Sequence, residues 1–295
     1  MKAIYKRELG AYFHSMQAYI FLALFVCITG IFFSIVNISY GYNDFAGYVL
    51  SNSYYMMFIY AIVVPILTMR MFAEEKKQKT DQLLLTAPVS VWEIVLGKYF
   101  ACMTVFMIGV VIISIFPVII GIFGNIPIAN TISGYIGMIL FSACMMAIGT
   151  MISSLTEEPV ISGIVSAVIG LLVMFFGSLV SILPDGAVPT LIFFGIVIIA
   201  VAVIFYLDTR KIQIAGIAVL AGAVITAGLY FLKKDWFVYG LTSSLNWLSL
   251  EKRYEEFLNG ILNFSSVIYM LSVSAVCLFP VSYTHLRAHE TLANL

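Results

Sequence analysis

Covalent chemistry needs a cluster of nucleophile, base or metal ligand, and this chain of 295 residues has little to offer. Its only histidines are His14, His285 and His289. Its four cysteines, Cys27, Cys102, Cys144 and Cys277, lie singly inside apolar runs without CxxC spacing, as small buried hydrophobes do. No HExxH, GxSxG or P-loop pattern occurs. The sequence therefore assigns no catalytic residue, no metal and no cofactor to this chain. What stands out is where the charge falls. Seven of the thirty Lys, Arg, Asp and Glu residues lie between Arg70 and Asp81. Glu74 and Glu75 precede Lys79 by five and four residues, so helical pairing is available. An apolar block, Leu83 to Leu85, follows, and then "TAPVS". Pro88 disfavours helix at Ala87, and Ser90 with Glu93 fits a capping box. The expectation is a helix, a break and a helix lying along a membrane face, suited to docking another protein. A solvated charged loop is the plainer alternative, but it gives Leu83, Leu84 and Leu85 no reason to sit beside a polar run.

The elements that must position this segment are set by composition. The chain is 62% apolar and 10% charged, with a mean hydropathy of +1.06. A soluble interior does not hide that much apolar surface. Runs of about 18 residues or more, each long enough to cross a hydrocarbon core, recur. They are too long and too continuous for barrel strands. The expectation is an all-α polytopic membrane protein with about eight spans, near residues 18–38, 54–71, 99–121, 132–152, 160–183, 190–207, 212–232 and 264–281. The last three include an apparent hairpin, 190–232, turned by "DTRK". Net charge is zero, which gives no pull toward nucleic acid.

With the N-terminus in the cytoplasm, eleven Lys and Arg residues fall on the cytoplasmic side and four outside, a positive-inside bias that places the charged stretch in the cytoplasm. The first apolar run is too long for the h-region of a cleavable signal peptide, so none is expected. Residues 1–17 put Tyr5, Leu9, Tyr12, Phe13 and Met16 on one helical face, with Lys2, Lys6 and Arg7 mostly off it, as in a helix lying on the inner leaflet. Residues 245–262 repeat the pattern outside. There Trp247, Leu250, Tyr254, Phe257, Leu258 and Ile261 form a stripe, and Glu251, Lys252, Arg253, Glu255 and Glu256 lie mostly opposite.

Ion-coupled carriers place ionisable residues deep in the membrane. Here the middles of the expected spans lack them, and Arg70, Lys98 and Asp208 sit at span ends where snorkelling suffices. Gly163, Gly170, Gly177 and Ser178 suit close helix packing, and Pro65 and Pro117 are kink positions. Any work done by such a chain is powered from outside it.

These residues resemble the membrane subunits of type-2 ATP-binding cassette (ABC) exporters over most of the chain. The start, "YKRELGAYFHSMQAYI", is similar to the family's entry into the first span. The most specific match is "RMFAEEKKQKTDQLLLTAPVSVWEIVLGKY", through Glu74, Glu75, Thr80, Leu83, Leu84, Thr86, Pro88, Ser90, Gly97 and Lys98. "FLNGILNFSSVIYMLS" resembles the approach to the last span. The resemblance implies a bacterial inner-membrane permease, paired with a second permease copy or paralogue and with cytoplasmic ATPases that carry the ATP and Mg. It implies a coupling segment over Glu74–Ser90 that sits in the ATPase. "SSLTEEPV" offers a second contact through Thr156, Glu157 and Glu158, for which helix capping is an equal explanation. An ion-coupled secondary transporter and a non-transporting membrane scaffold or sensor are the alternatives. The chain departs from the family in its two extra spans. It also departs in its end, "VSYTHLRAHETLANL", which resembles a translated sequencing adaptor. Residues 282–295 are therefore expected to be non-native, and an uninterrupted genomic locus encoding them is the observation that decides against it.

Overall fold

The computed structural model describes residues 1–80, 90–209 and 239–293, together with residues 216, 219, 220, 222, 226 and 230. All elements among these are helical. Among the described residues, six stretches are long and apolar enough to cross a membrane: Met16–Ser39, Ser53–Gln78, Val91–Phe123, Ile128–Leu155, Pro159–Ile182 and Phe264–Ser282. Six of the expected spans are therefore present. A further helix, Ala187–Thr209, covers the expected span 190–207. Most of the expected span 212–232 lies outside the described residues, although Gly222 packs closely on Ile198.

The chain divides into two units, Met1–Met174 with Leu250–Leu295, and Phe175–Ser249. The first holds α1 (Lys2–His14) and α2 (Met16–Phe33), which continues as a π-helical turn over Ser34–Ser39. The second stretch is built in pieces: α3 (Ser53–Phe58), a π-helical turn (Ile59–Val63), α4 (Val64–Thr68) and α5 (Ala73–Gln78). The third is α6 (Val91–Ile113) followed by α7 (Ile115–Phe123), and the fourth is α8 (Ile128–Leu155). Next comes α9 (Pro159–Ile182). The second unit holds α10 (Ala187–Thr209) and α11 (Gly240–Leu248), where Thr190 Oγ1 accepts from the Leu241 amide at 3.2 Å. The chain closes with α12 (Leu250–Leu258) and α13 (Phe264–Ala293), which runs past Pro280 and the expected span end at 281.

Proline chemistry explains the break in the third stretch. Pro117 has no N–H to offer the carbonyl four residues back, and its ring crowds that carbonyl. The helix is interrupted at Ser114 and the Ile113 carbonyl is released. Tyr135 on α8 donates its hydroxyl to that carbonyl at 3.2 Å, which supplies the partner a buried backbone oxygen needs. The kink is therefore also a tie between the third and fourth stretches.

Two expectations are corrected. Residues 245–262 do not form one outer interfacial helix. The chain turns at Ser249, and Trp247 and Ile261 are exposed while Leu250, Tyr254, Phe257 and Leu258 are buried. Helix α12 packs on α8, where a Cβ on Gly137 would come within 2.5 Å of the Phe257 Cβ. Arg253, placed on the polar face by its periodicity, is buried over the Tyr269 ring at 4.5 Å. The stretch between the expected spans 18–38 and 54–71 is more than a connection, since it tucks a π-helical turn, Ala46–Leu50, into the core, with Ala46, Val49 and Leu50 fully buried. Gly134 of α8 permits it, since a Cβ there would meet the Ala46 Cβ at 2.7 Å.

Candidate functional site

The charged stretch starts where the second span unwinds. Helix α4 ends at Thr68, leaving the Leu67 carbonyl without an intrahelical partner. Tyr12 of α1 donates its hydroxyl to that oxygen at 3.0 Å, and the Gln17 amide donates to it at 3.2 Å. The start of α5 is held from the other side. Ser153 of α8 accepts from the Phe72 and Ala73 amides at 3.1 and 3.2 Å and donates to the Met69 carbonyl at 3.2 Å. One buried hydroxyl thus satisfies three backbone groups of the turn between α4 and α5.

Helix α5 ends in a Schellman arrangement. Lys79 takes the left-handed conformation (φ 56°), its amide bonds the Lys76 carbonyl at 3.1 Å, and the Thr80 amide bonds the Glu75 carbonyl at 3.0 Å. The helical pairing expected between Glu75 and Lys79 is absent for that reason, because Lys79 lies beyond the helix end. Glu75 turns the other way, to Lys98 at 2.9 Å and to Arg7 at 3.3 Å.

Lys98 is the residue whose role the sequence reading missed. Placed at a span end, it was expected to snorkel. Instead its side chain is 2% exposed, bound to Glu75 and, at 3.0 Å, to Glu8 of α1, with its ammonium 5.4 Å from the Phe72 ring centre. Arg7 pairs with both carboxylates and closes a ring of two cations and two anions. The ring is neutral, and every charge in it has at least one opposite partner, as a buried charge requires. Burial pushes the Glu8 carboxyl up. The Lys98 charge and hydrogen bonds from Arg7 and Lys98 outweigh this and hold it below its ordinary value. Gly97 is what lets α1 come close enough: a Cβ there would lie 3.1 Å from Ile4 Cγ2 and 3.5 Å from the Tyr5 amide. One α1 turn beyond Ile4 is Glu8. A glycine directly before a lysine at a span end, facing an acid-bearing helix, was the available signal.

The other face of α5 meets the "SSLTEEPV" loop. Lys77 pairs with Glu158 at 2.8 Å, both half-exposed, and Lys76 donates to the Ser154 carbonyl. Thr156 Oγ1 accepts from the Glu158 amide at 3.0 Å, a local cap before Pro159 opens α9. Glu74, Glu75 and Thr80 thus line the side of α5 that faces α1, while Glu158 meets the other side through Lys77. The Ser90 cap forms, with the Ser90 hydroxyl accepting from the Glu93 amide at 3.3 Å. The Glu93 carboxylate is turned to the N-terminal ammonium at 3.2 Å. Leu83, Leu84, Thr86 and Pro88 lie outside the described residues. A cavity of about 430 Å³ opens between α1 and α5, lined by Arg7, Glu8, Tyr12, Arg70, Glu74 and Lys98 among others.

Comparison with known proteins gives this architecture its class. The model of the ABC-2 family transporter proteins matches residues 31–279. The chain belongs to that family. It is a multi-pass membrane subunit of an ABC transporter, a permease of the type-2 kind, and the family implies an ATPase partner. No curated protein and no solved structure matches the chain.

Proposed function

We propose that this permease couples to a separate cytoplasmic ATPase through residues 74–90 and exports its substrate across a bacterial inner membrane, with the N-terminus in the cytoplasm. A second permease, identical or paralogous, completes the translocation path, and ATP and Mg reside on the partner ATPases. The observation that carries the reading is the anchoring of α5. A push delivered to the segment after Thr80 meets a helix fixed to α1 and α6 through the Glu8–Lys98–Glu75 ring and to α8 through Ser153. Force entering there is shared among several spans at once. The empty membrane interior fits a chain that receives its energy rather than drawing it from an ion gradient.

The test is the pair Leu83→Asp and Leu84→Asp. The expected result is a permease that still inserts but no longer co-purifies with its ATPase or stimulates hydrolysis. Unchanged co-purification together with unchanged transport would remove the coupling assignment. Transport driven by an ion gradient with the purified chain alone would replace it with a secondary carrier.

A further inference from the structure

The cavity between α1 and α5 holds charge that the ring does not absorb. Among the described residues six charged side chains line it: Arg7, Arg70 and Lys98 against Glu8, Glu74 and Glu75. Four of these pair with one another in the ring. Arg70 and Glu74 are left over. Among the described residues neither makes an ion pair, with the other or with anything else, and the one side-chain bond between them is the 3.4 Å hydrogen bond that Glu74 accepts from Gln78. Arg70 is exposed and Glu74 half-buried, so a ligand in the cavity can reach both.

The cavity also sits at a set depth. Arg70 lies just beyond α4, where the second span unwinds, and Gln17 in the first turn of α2 lines the same space. Met16, Tyr19 and Ile20, beside Gln17, are exposed, so the apolar surface of the first span begins at this level. A site where two spans end and an exposed tyrosine stands is at head-group depth. Its volume of about 430 Å³ falls in the range of small-molecule sites.

Charge balance decides the class of ligand. A basic pocket at this depth takes an anionic lipid head group. Here the lining is three cations against three anions, and the two unspent charges are of opposite sign. A guanidinium matches a phosphate through paired N–H donors. A carboxylate accepts from the N–H groups of a primary ammonium. We propose that this cavity binds the head group of a zwitterionic phospholipid with a primary ammonium, its phosphate on Arg70 and its ammonium on Glu74. The site is independent of transport direction and of the coupling assignment.

The full-length permease in detergent micelles is titrated with dioleoyl phosphatidylethanolamine and, separately, with dioleoyl phosphatidylcholine, and bound lipid is counted by native mass spectrometry. The first phosphatidylethanolamine should bind about tenfold more tightly, because its ammonium donates to a carboxylate and a trimethylammonium has no N–H to donate. In Glu74→Ala that preference should vanish with the affinity for phosphatidylcholine retained, and Arg70→Gln should weaken both lipids. Equal affinity for the two lipids in the unaltered protein overturns the proposal, and that comparison needs no variant to fold. A preference that persists in both variants also overturns it, since it then arises elsewhere on the protein. Displacement of the lipid by soluble glycerophosphoethanolamine at matched concentration would give the cavity to a free zwitterion and overturn the lipid assignment.

Discussion

Helix α8 is held at both ends, by opposite means. Toward its C-terminus, Ser153 bonds the turn before α5, the Ser154 carbonyl accepts from Lys76, and Glu158 just beyond the helix pairs with Lys77. Toward its N-terminus, Gly134 and Gly137 admit Ala46 and Phe257 at distances that leave no room for a Cβ, and Ser133 donates to the Phe257 carbonyl. The first end is fixed by directed bonds between charged and polar groups. The second is fixed mainly by volume, as expected where apolar surroundings give helices no hydrophobic reason to associate. The difference bears on control. Contacts made by charge respond to protonation and to a docked partner, whereas contacts made by shape respond to neither.

The largest test of this contrast is Lys98→Met. It leaves the largely buried Glu8 and Glu75 carboxylates to share the half-exposed Arg7 and should cost about 3 kcal/mol of stability, read by denaturant unfolding in micelles. A loss below about 1 kcal/mol would mean the ring is solvated and holds nothing. At the other end, Gly137→Leu should cost about 1–3 kcal/mol through overpacking against Phe257 and Tyr254. That loss should be the same at every pH, and a pH-dependent loss would contradict a purely steric contact.

The polar end should titrate. Despite burial, the carboxyl of Glu8 is held below its ordinary value of about 4.5 by Lys98 and Arg7, so its contribution is complete above that value and is lost as pH falls through the lower folded one. Acidification below about 4.5 should therefore lower stability in the native protein, and Glu8→Gln should flatten part of that fall. An identical acid profile in Glu8→Gln would exclude Glu8 as a source. The smallest effect belongs to Lys77→Ala. Its pair with Glu158 is half-exposed on both sides and should be worth at most about 0.5 kcal/mol, so a large loss of stability there would revise the account.

Much of this was legible in the chain. Apolar run length located six of the spans, and Ser90 with Glu93 announced the helix that follows the charged segment. Pro117 announced a kink but not Tyr135 as the donor that answers it, because tertiary contacts leave no local periodicity. Periodicity also misled at Arg253, whose neighbours suggest an exposed face while a ring from another helix covers it. Lys98 was misread for a related reason. A lysine at a span end has two low-energy solutions, reaching water or reaching an acid, and only the approach of α1 over Gly97 selects the second.

The hydroxyl of Ser153 carries a consequence for chain length. It fixes Phe72 and Ala73 to one position on α8, while Glu75, two residues on, must still point at Lys98. A single residue inserted between Ala73 and Glu75 would turn the carboxylate about 100° around its helix and away from its partner. Substitution along this stretch has room wherever a side chain meets solvent. Insertion and deletion have none, and the spacing from Thr68 to Glu75 is set as firmly as the identity of the residues within it.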